Sequence, residues 1–242
     1  MKCNSLMTTL GLMAAFSLSG QALGAVVNVD VGHHAGSRLY TGQGAIAAPG
    51  DIWNQTPFTD ANFVDSQGNP VVMMVDILGY DGAGNRNEND YANDLMYDYY
   101  RGLDNDPDSF LTLIISELIP GGSYNLALYG AQAGTFNGFL KDHRGSTFTI
   151  DGVTKIATGS MADWPEDGLA EGVTHVIFTN VIADAEGKIV VDIRPYTHPD
   201  DAAYPTAFLN GFQIEGNFAL IPEPASLALI GLGGLMMLRR RH

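Results

Sequence analysis

The chain has 242 residues, with 12 basic and 27 acidic side chains and a formal net charge of −15. Apolar residues make up 45% and charged residues 16%, too apolar and too weakly charged for a disordered polymer. The acidity excludes a general nucleic-acid binder, whose phosphate partner demands a basic footprint.

Met1 and Lys2 open the chain, residues 6–18 are apolar, and Ala22, Gly24 and Ala25 supply the small side chains that a signal peptidase needs. This predicts an export leader over residues 1–25, cut after Gly24 or Ala25. The apolar stretch is short for a membrane span. The only cysteine, Cys3, lies in the leader, so the mature chain has neither a disulfide nor a thiolate metal site.

Residues 26–216 read as one β-rich ectodomain, a size that suits an all-β domain. Val27, Val29 and Val31 alternate with Asn28 and Asp30, predicting a half-buried strand. Residues 71–78 are apolar on both faces except at Asp76, as in a central strand. In residues 91–103, Tyr91, Leu95 and Tyr99 keep a helical period, so a short helix or aromatic-rich loop competes evenly with a strand. Residues 110–118 form the next strand, Pro120-Gly121-Gly122 turns the chain, and Tyr124, Leu126 and Leu128 begin its return. Asp151-Gly152 marks a hairpin between strands at 148–150 and 153–157. Glu186-Gly187 turns residues 173–181 into 188–193, and Phe208, Phe212 and Ile214 share a face of the last strand. Short strands with turn residues between them predict an all-β fold, an antiparallel β-sandwich of jelly-roll type.

The last segment, residues 217–242, is a linker and a motif. Pro222-Glu223-Pro224 precedes residues 225–238, which carry no charge, and Arg239-Arg240-Arg241 follow. As a helix the uncharged run reaches about 21 Å, short of a bilayer core of about 30 Å. The prolines stop a helix from running upstream, and the arginines hold their end in the cytoplasm. These residues resemble the PEP-CTERM sorting signal of Gram-negative bacteria. The resemblance covers residues 221–242. It implies Sec export, transient retention in the inner membrane, and processing at Pro222-Glu223-Pro224 by an exosortase. Delivery to the cell surface or extracellular matrix follows, often in species that make exopolysaccharide. A tail cut at the outer side of the membrane explains why an undersized anchor sits beside a helix-breaking, polar site.

A second resemblance covers residues 26–215. The opening Val27-Asn28-Val29-Asp30-Val31, then Tyr40-Thr41-Gly42, Trp53-Asn54, the run from Leu118 to Gly130, and the closing Leu209-Asn210-Gly211-Phe212-Gln213-Ile214 are similar to galactose-binding-like and malectin-like jelly rolls. That resemblance implies a sandwich that binds carbohydrate at one edge.

Sugar C–H faces stack on aromatic rings while hydroxyls need amide or carboxylate partners. Trp53 beside Asn54, Tyr99 and Tyr100 beside Asp98, and Trp164 beside Asp163 supply both, and are the expected ligand residues. Asp104, Asp106 and Asp108 place oxygens at every second position, an expected calcium loop without the EF-hand glycine and distal glutamate. His198 with Asp200 and Asp201 reads as a solvated loop rather than a metal site, and His175 as a strand residue. There is no Gly-x-Ser-x-Gly elbow, no His-Glu-x-x-His and no phosphate loop. The expectation is therefore a non-catalytic carbohydrate-binding module, with extracellular polysaccharide as partner. Two other readings stay open: a structural or adhesive matrix protein without a discrete ligand, and a glycan hydrolase using acids among Asp163, Glu166 and Asp167.

Overall fold

The computed structural model describes residues 24–31, 39–46, 51–55, 63–85, 94–96, 98–103, 106, 108–132, 135–136, 139–140, 144–160, 163–164, 169–197 and 205–219. Residues 1–23 of the expected leader and residues 220–242 of the expected linker and sorting tail lie outside these residues. Within them no helix is long and apolar enough to cross a membrane.

The fold is all-β. One five-stranded sheet holds β1 (Ala25–Asp30), β2 (Trp53–Gln55), β7 (Ser123–Tyr129), β12 (His175–Ile182) and β15 (Gly211–Gly216), in the order β12-β7-β15-β1-β2. A second holds β3 (Met74–Leu78), β6 (Leu111–Ser116), β10 (Ser146–Ile150), β11 (Val153–Ala157) and β13 (Ile189–Pro195), in the order β11-β10-β13-β6-β3. All neighbours are antiparallel except β1 and β2, which run parallel. A small sheet joins β14 (Phe208–Leu209), β5 (Asp98–Arg101) and β4 (Gly82–Asn85), and β8 (Thr135–Phe136) pairs with β9 (Phe139–Leu140).

The sheets pack face to face because each strand turns alternate apolar side chains inward. Val27, Val29, Leu126, Leu128, Phe212 and Ile214 of the first meet Leu111, Leu113, Ile115, Phe148, Val191 and Ile193 of the second. Each such burial stabilises the fold by about 1.5–3 kcal/mol. The Asp151-Gly152 hairpin is as expected. Ile150 pairs with Val153, and both turn residues have positive φ, 49° and 77°, as a type I′ turn requires.

Several expectations are corrected. β1 is not half-buried: Asn28 and Asp30 are as buried as the valines, because a second layer covers the outer face of the first sheet. β3 is an edge strand, with Met74 and Leu78 facing solvent, not a central one. The turns at 120–122 and 186–187 do not return the chain within a sheet. They carry it from β6 to β7 and from β12 to β13, across the sandwich. Gly187 has φ 72°, and a Cβ there would lie 2.3 Å from the Leu118 carbonyl oxygen, so this turn locks onto the end of β6. In the ambiguous stretch at 91–103 the described residues combine a single 3-10 turn, Asp94–Met96, with strand β5. Beyond β15 the chain stays on the body. Phe218 is buried, and Val72 N–H donates to the Ala219 carbonyl at 3.0 Å.

Candidate functional site

The outer face of the first sheet carries two rungs, read across the strands. One is Trp53, Asn28, Gln213, Ala127 and Ile177, and the next is Asp30, Gly211, Tyr129 and His175. Alternation puts the polar and aromatic side chains of Trp53, Asn28, Gln213, Asp30, Tyr129 and His175 on this face, and the chain then covers them. Tyr40, Trp53, Leu95, Met96, Ala127, Tyr129 and Ala131 form a second apolar cluster, against which Ala45, Ile46, Trp164 and Leu169 pack.

Polar groups beneath this cover are joined in a chain of hydrogen bonds. Tyr129 Oη donates to Gln213 Oε1 at 2.6 Å and accepts the Ala45 N–H at 2.6 Å. Gln213 Oε1 also accepts Ile46 N–H at 3.1 Å, and its amide donates to Asn28 Oδ1 at 2.7 Å. Asn28 in turn donates to the Ile52 carbonyl at 2.9 Å. Asp30 Oδ2 accepts the Tyr40 N–H at 2.9 Å. The segment 39–46 is thereby sewn to the sheet through side chains of β1, β7 and β15. Its glycines permit the close approach. A Cβ on Gly44 would sit 2.3 Å from the Gln213 amide nitrogen, and one on Gly42 would sit 2.4 Å from the Tyr40 hydroxyl.

Between segment 39–46 and the start of β12 lies a cleft of about 400 Å³, lined by Tyr40, Gln43, Gly44, Ala45, Leu169 and His175. Gln43 is exposed at its rim. The His175 ring is tilted against Tyr129 at 5.2 Å, with Nδ1 3.2 Å from Thr174 Oγ1. Burial pushes the His175 pKa down to about 4, against the opposing pull of Glu171. At neutral pH the imidazole is therefore uncharged, with one donating and one accepting nitrogen. Burial also raises the Tyr129 pKa, so its hydroxyl keeps its proton. A cleft of this kind offers uncharged donors and acceptors beside apolar surface, which is the chemistry that recognises hydroxyl-rich neutral molecules.

The expected ligand residues are dispersed. Trp53 is only 4% exposed; its indole N–H donates to the Gly42 carbonyl at 3.0 Å, and its ring meets Tyr40 edge-on at 4.8 Å. Asn54 ties the Asn28 carbonyl to both backbone groups of Val64. Tyr99 is buried edge-on against Phe208, and Tyr100 is fully buried near Tyr80. Trp164 is half-buried on the cluster that floors the cleft, with Asp163 exposed beside it. Asp106 Oδ1 accepts the Asp108 N–H at 2.9 Å, closing a turn, and Asp104 lies outside the described residues. Among the described residues, no group of three or more His, Cys, Asp or Glu side chains is placed to hold a metal ion. Glu166, Asp167, His198, Asp200, Asp201, Pro222, Glu223, Pro224, Arg239, Arg240 and Arg241 also lie outside the described residues. The residues that sequence reasoning missed are Gln43, Gln213, Tyr129 and the lining role of His175. The one available signal was polar side chains at alternate positions of β1 and β15, which the structure shows to be buried.

No protein-family model matches the chain, and no curated protein matches it. Among solved structures it is similar to the plant receptor-like kinase ANX2, at 15% identity and a TM-score of 0.48, over 81% of this chain and 48% of that one. It is also similar to the ANX1 ectodomain from Arabidopsis thaliana, at 15% identity and a TM-score of 0.47, over 80% of this chain and 48% of that one. A third is the plant peptide RALF23 in complex with FER and LLG2, at 15% identity and a TM-score of 0.47, over 79% of this chain and 48% of that chain. This chain spans about half the length of each.

Proposed function

We propose that the chain is an exported protein of the cell surface or extracellular matrix, and that its sandwich is a non-catalytic carbohydrate-binding module with its ligand in the cleft at segment 39–46. The observation that carries this reading is the cleft itself, with its floor fixed by the Tyr129–Gln213–Asn28 chain. A floor ordered before the ligand arrives spares the entropy of ordering it on binding. Gln43, neutral His175 and loop backbone groups face the sugar hydroxyls, while Tyr40 and Leu169 supply apolar contact. The net charge of −15 favours an uncharged glycan over a polyanion.

The two ends of the body fit surface display. Ala25 pairs with Gly216, so both ends leave from one pole of the first sheet. Tyr129 and His175, beside the cleft, stand at the other pole, since Tyr129 pairs with both Gly211 and His175. While residues 217–242 hold the protein at the inner membrane, before processing at Pro222-Glu223-Pro224, the cleft faces away from the bilayer.

A neutral-glycan array tests the binding role. Wild type binds at least one neutral oligosaccharide, and Gln43→Ala, an exposed change that leaves the fold intact, weakens that binding by about fivefold, as the loss of one hydrogen bond implies. No binding to any neutral glycan, or no effect of the substitution, overturns the assignment. The matrix-protein reading has one observation in its favour, the bare outer face of the second sheet, where Leu78 and Val190 are exposed. Concentration-dependent oligomers in light scattering, with no glycan bound, would favour it.

A further inference from the structure

On the flank of the sandwich, β11 at the edge of the second sheet runs beside β12 at the edge of the first. A groove of about 370 Å³ opens between them, within the size range of small-molecule sites. It lies on β11 and on the middle and far end of β12, away from the cleft residue His175.

Lys155 governs its chemistry. The ammonium donates to the Ile177 carbonyl and stands 5.4 Å over the centre of the Phe178 ring. An ammonium has three donors and the carbonyl takes one. Among the described residues no carboxylate pairs with it, in a chain of 27 acids. The charge is held in place by a carbonyl and a ring face, while the exposed carboxylate of Asp151, on the hairpin turn, lines the same groove without pairing with it.

The rim supplies hydroxyl partners. Two residues of β12, Thr179 and Asn180, lie opposite Asn125 alone, since Phe178 pairs with Leu126 and Val181 with Tyr124. Such a bulge re-aims side chains. Asn180 has φ 57°, and its N–H goes to Asn125 Oδ1 at 3.1 Å. Asn125 is braced by its own amide on Glu215, at 2.8 Å. The side chains of Thr179 and Asn180 remain exposed on the groove. Val153, 56% exposed, and Ile182, 52% exposed, give it apolar walls.

We propose that this groove is a second ligand site, distinct from the cleft, for a single acidic sugar residue: its carboxylate on Lys155, its C–H face against Val153 and Ile182, its hydroxyls on Thr179 and Asn180. The negative field of the molecule opposes a long polyanion, so a monosaccharide or a chain end is the occupant. Strand addition by a peptide is disfavoured, because Lys155 already caps the outward carbonyl of Ile177 on the β12 edge.

The test is amide chemical-shift mapping of the full ectodomain, with D-glucuronate, D-glucose and an acidic tetrapeptide as separate probes. Glucuronate should shift residues 153–155 and 178–182 and leave 40–46 unchanged. Lys155→Gln should weaken it at least about tenfold, as loss of a charge-assisted bond implies. Asn180→Gly, which suits the positive φ and leaves the backbone in place, should also weaken it. Glucuronate without effect, equal shifts from glucose, shifts from the peptide alone, or both variants binding as wild type would each overturn the proposal. Because the cleft takes no part, this outcome is independent of the glycan-array result.

Discussion

The two outer faces of the sandwich are made by the same alternation and end differently. On the second sheet, β13 turns Val190, Asp192 and Arg194 outward and leaves them in water. On the first, Asn28, Asp30 and Gln213 also point outward, yet they are fully buried beneath segment 39–46, the 94–96 turn and Trp164. A polar outer face is cheap in water and costly under a cover unless every group finds a partner. On the first sheet a linked set of hydrogen bonds supplies partners to Asn28, Gln213 and Tyr129, and the cleft lies at the edge of that cover. The difference teaches that strand pattern makes the sandwich, while segments between strands make the site.

Substitutions on the covered face should sharpen this contrast. Gln213→Leu removes the acceptor for Tyr129 and Ile46 and the donor to Asn28, stranding several buried groups. We expect a loss of about 4 kcal/mol in urea unfolding. If it costs under about 1 kcal/mol, water or side-chain movement satisfies these groups and the network is not a structural element.

The pH dependence follows from His175. Its folded pKa of about 4 lies below the unfolded value of 6.5, so between these values the unfolded chain binds a proton that the folded chain refuses. Stability is therefore full above pH 6.5 and falls as pH drops towards 4, by on the order of 3 kcal/mol from this one group. His175→Gln should flatten that part of the pH profile of Tm. An unchanged profile would mean that the ring is open to water in solution.

Gly44→Ala places a methyl group against the Gln213 amide, which Asn28 and Tyr129 hold from the other side. The expected cost is about 2 kcal/mol, with a coupling to Gln213→Ala in a double-mutant cycle. Additive costs would separate the loop from the network. The smallest effect belongs to the bare face. Val190→Thr should change stability by less than about 0.5 kcal/mol, since that side chain is already in water.

The sandwich was legible because burial imposes a period of two, visible in Val27, Val29 and Val31 and in the later strands. The Asp151-Gly152 hairpin was legible because two adjacent positive φ angles need those residue types. Turn residues alone did not reveal destination. Gly121 and Gly187 bend the chain as expected, but a bend does not record whether the next strand joins the same sheet or the opposite one. The site was the least legible part. Trp53 and Tyr100 satisfied the composition of a sugar platform, yet their size made them filler for the two clusters. The lining residues Gln43 and Leu169 lie on segments without periodicity, the first held by hydrogen bonds to β7 and β15 and the second by the Ala170–Thr174 turn and packing on the apolar cluster, ties that no local pattern encodes.

The central claim is that the covered face of the first sheet holds the ligand at its loop edge. Hydrogen–deuterium exchange, with and without the best-bound neutral oligosaccharide of the array, tests it most directly. The account predicts new protection in peptides spanning residues 39–46 and 169–176, with none on β13. Protection confined to the outer face of the second sheet, or no protection at a saturating concentration, would contradict it.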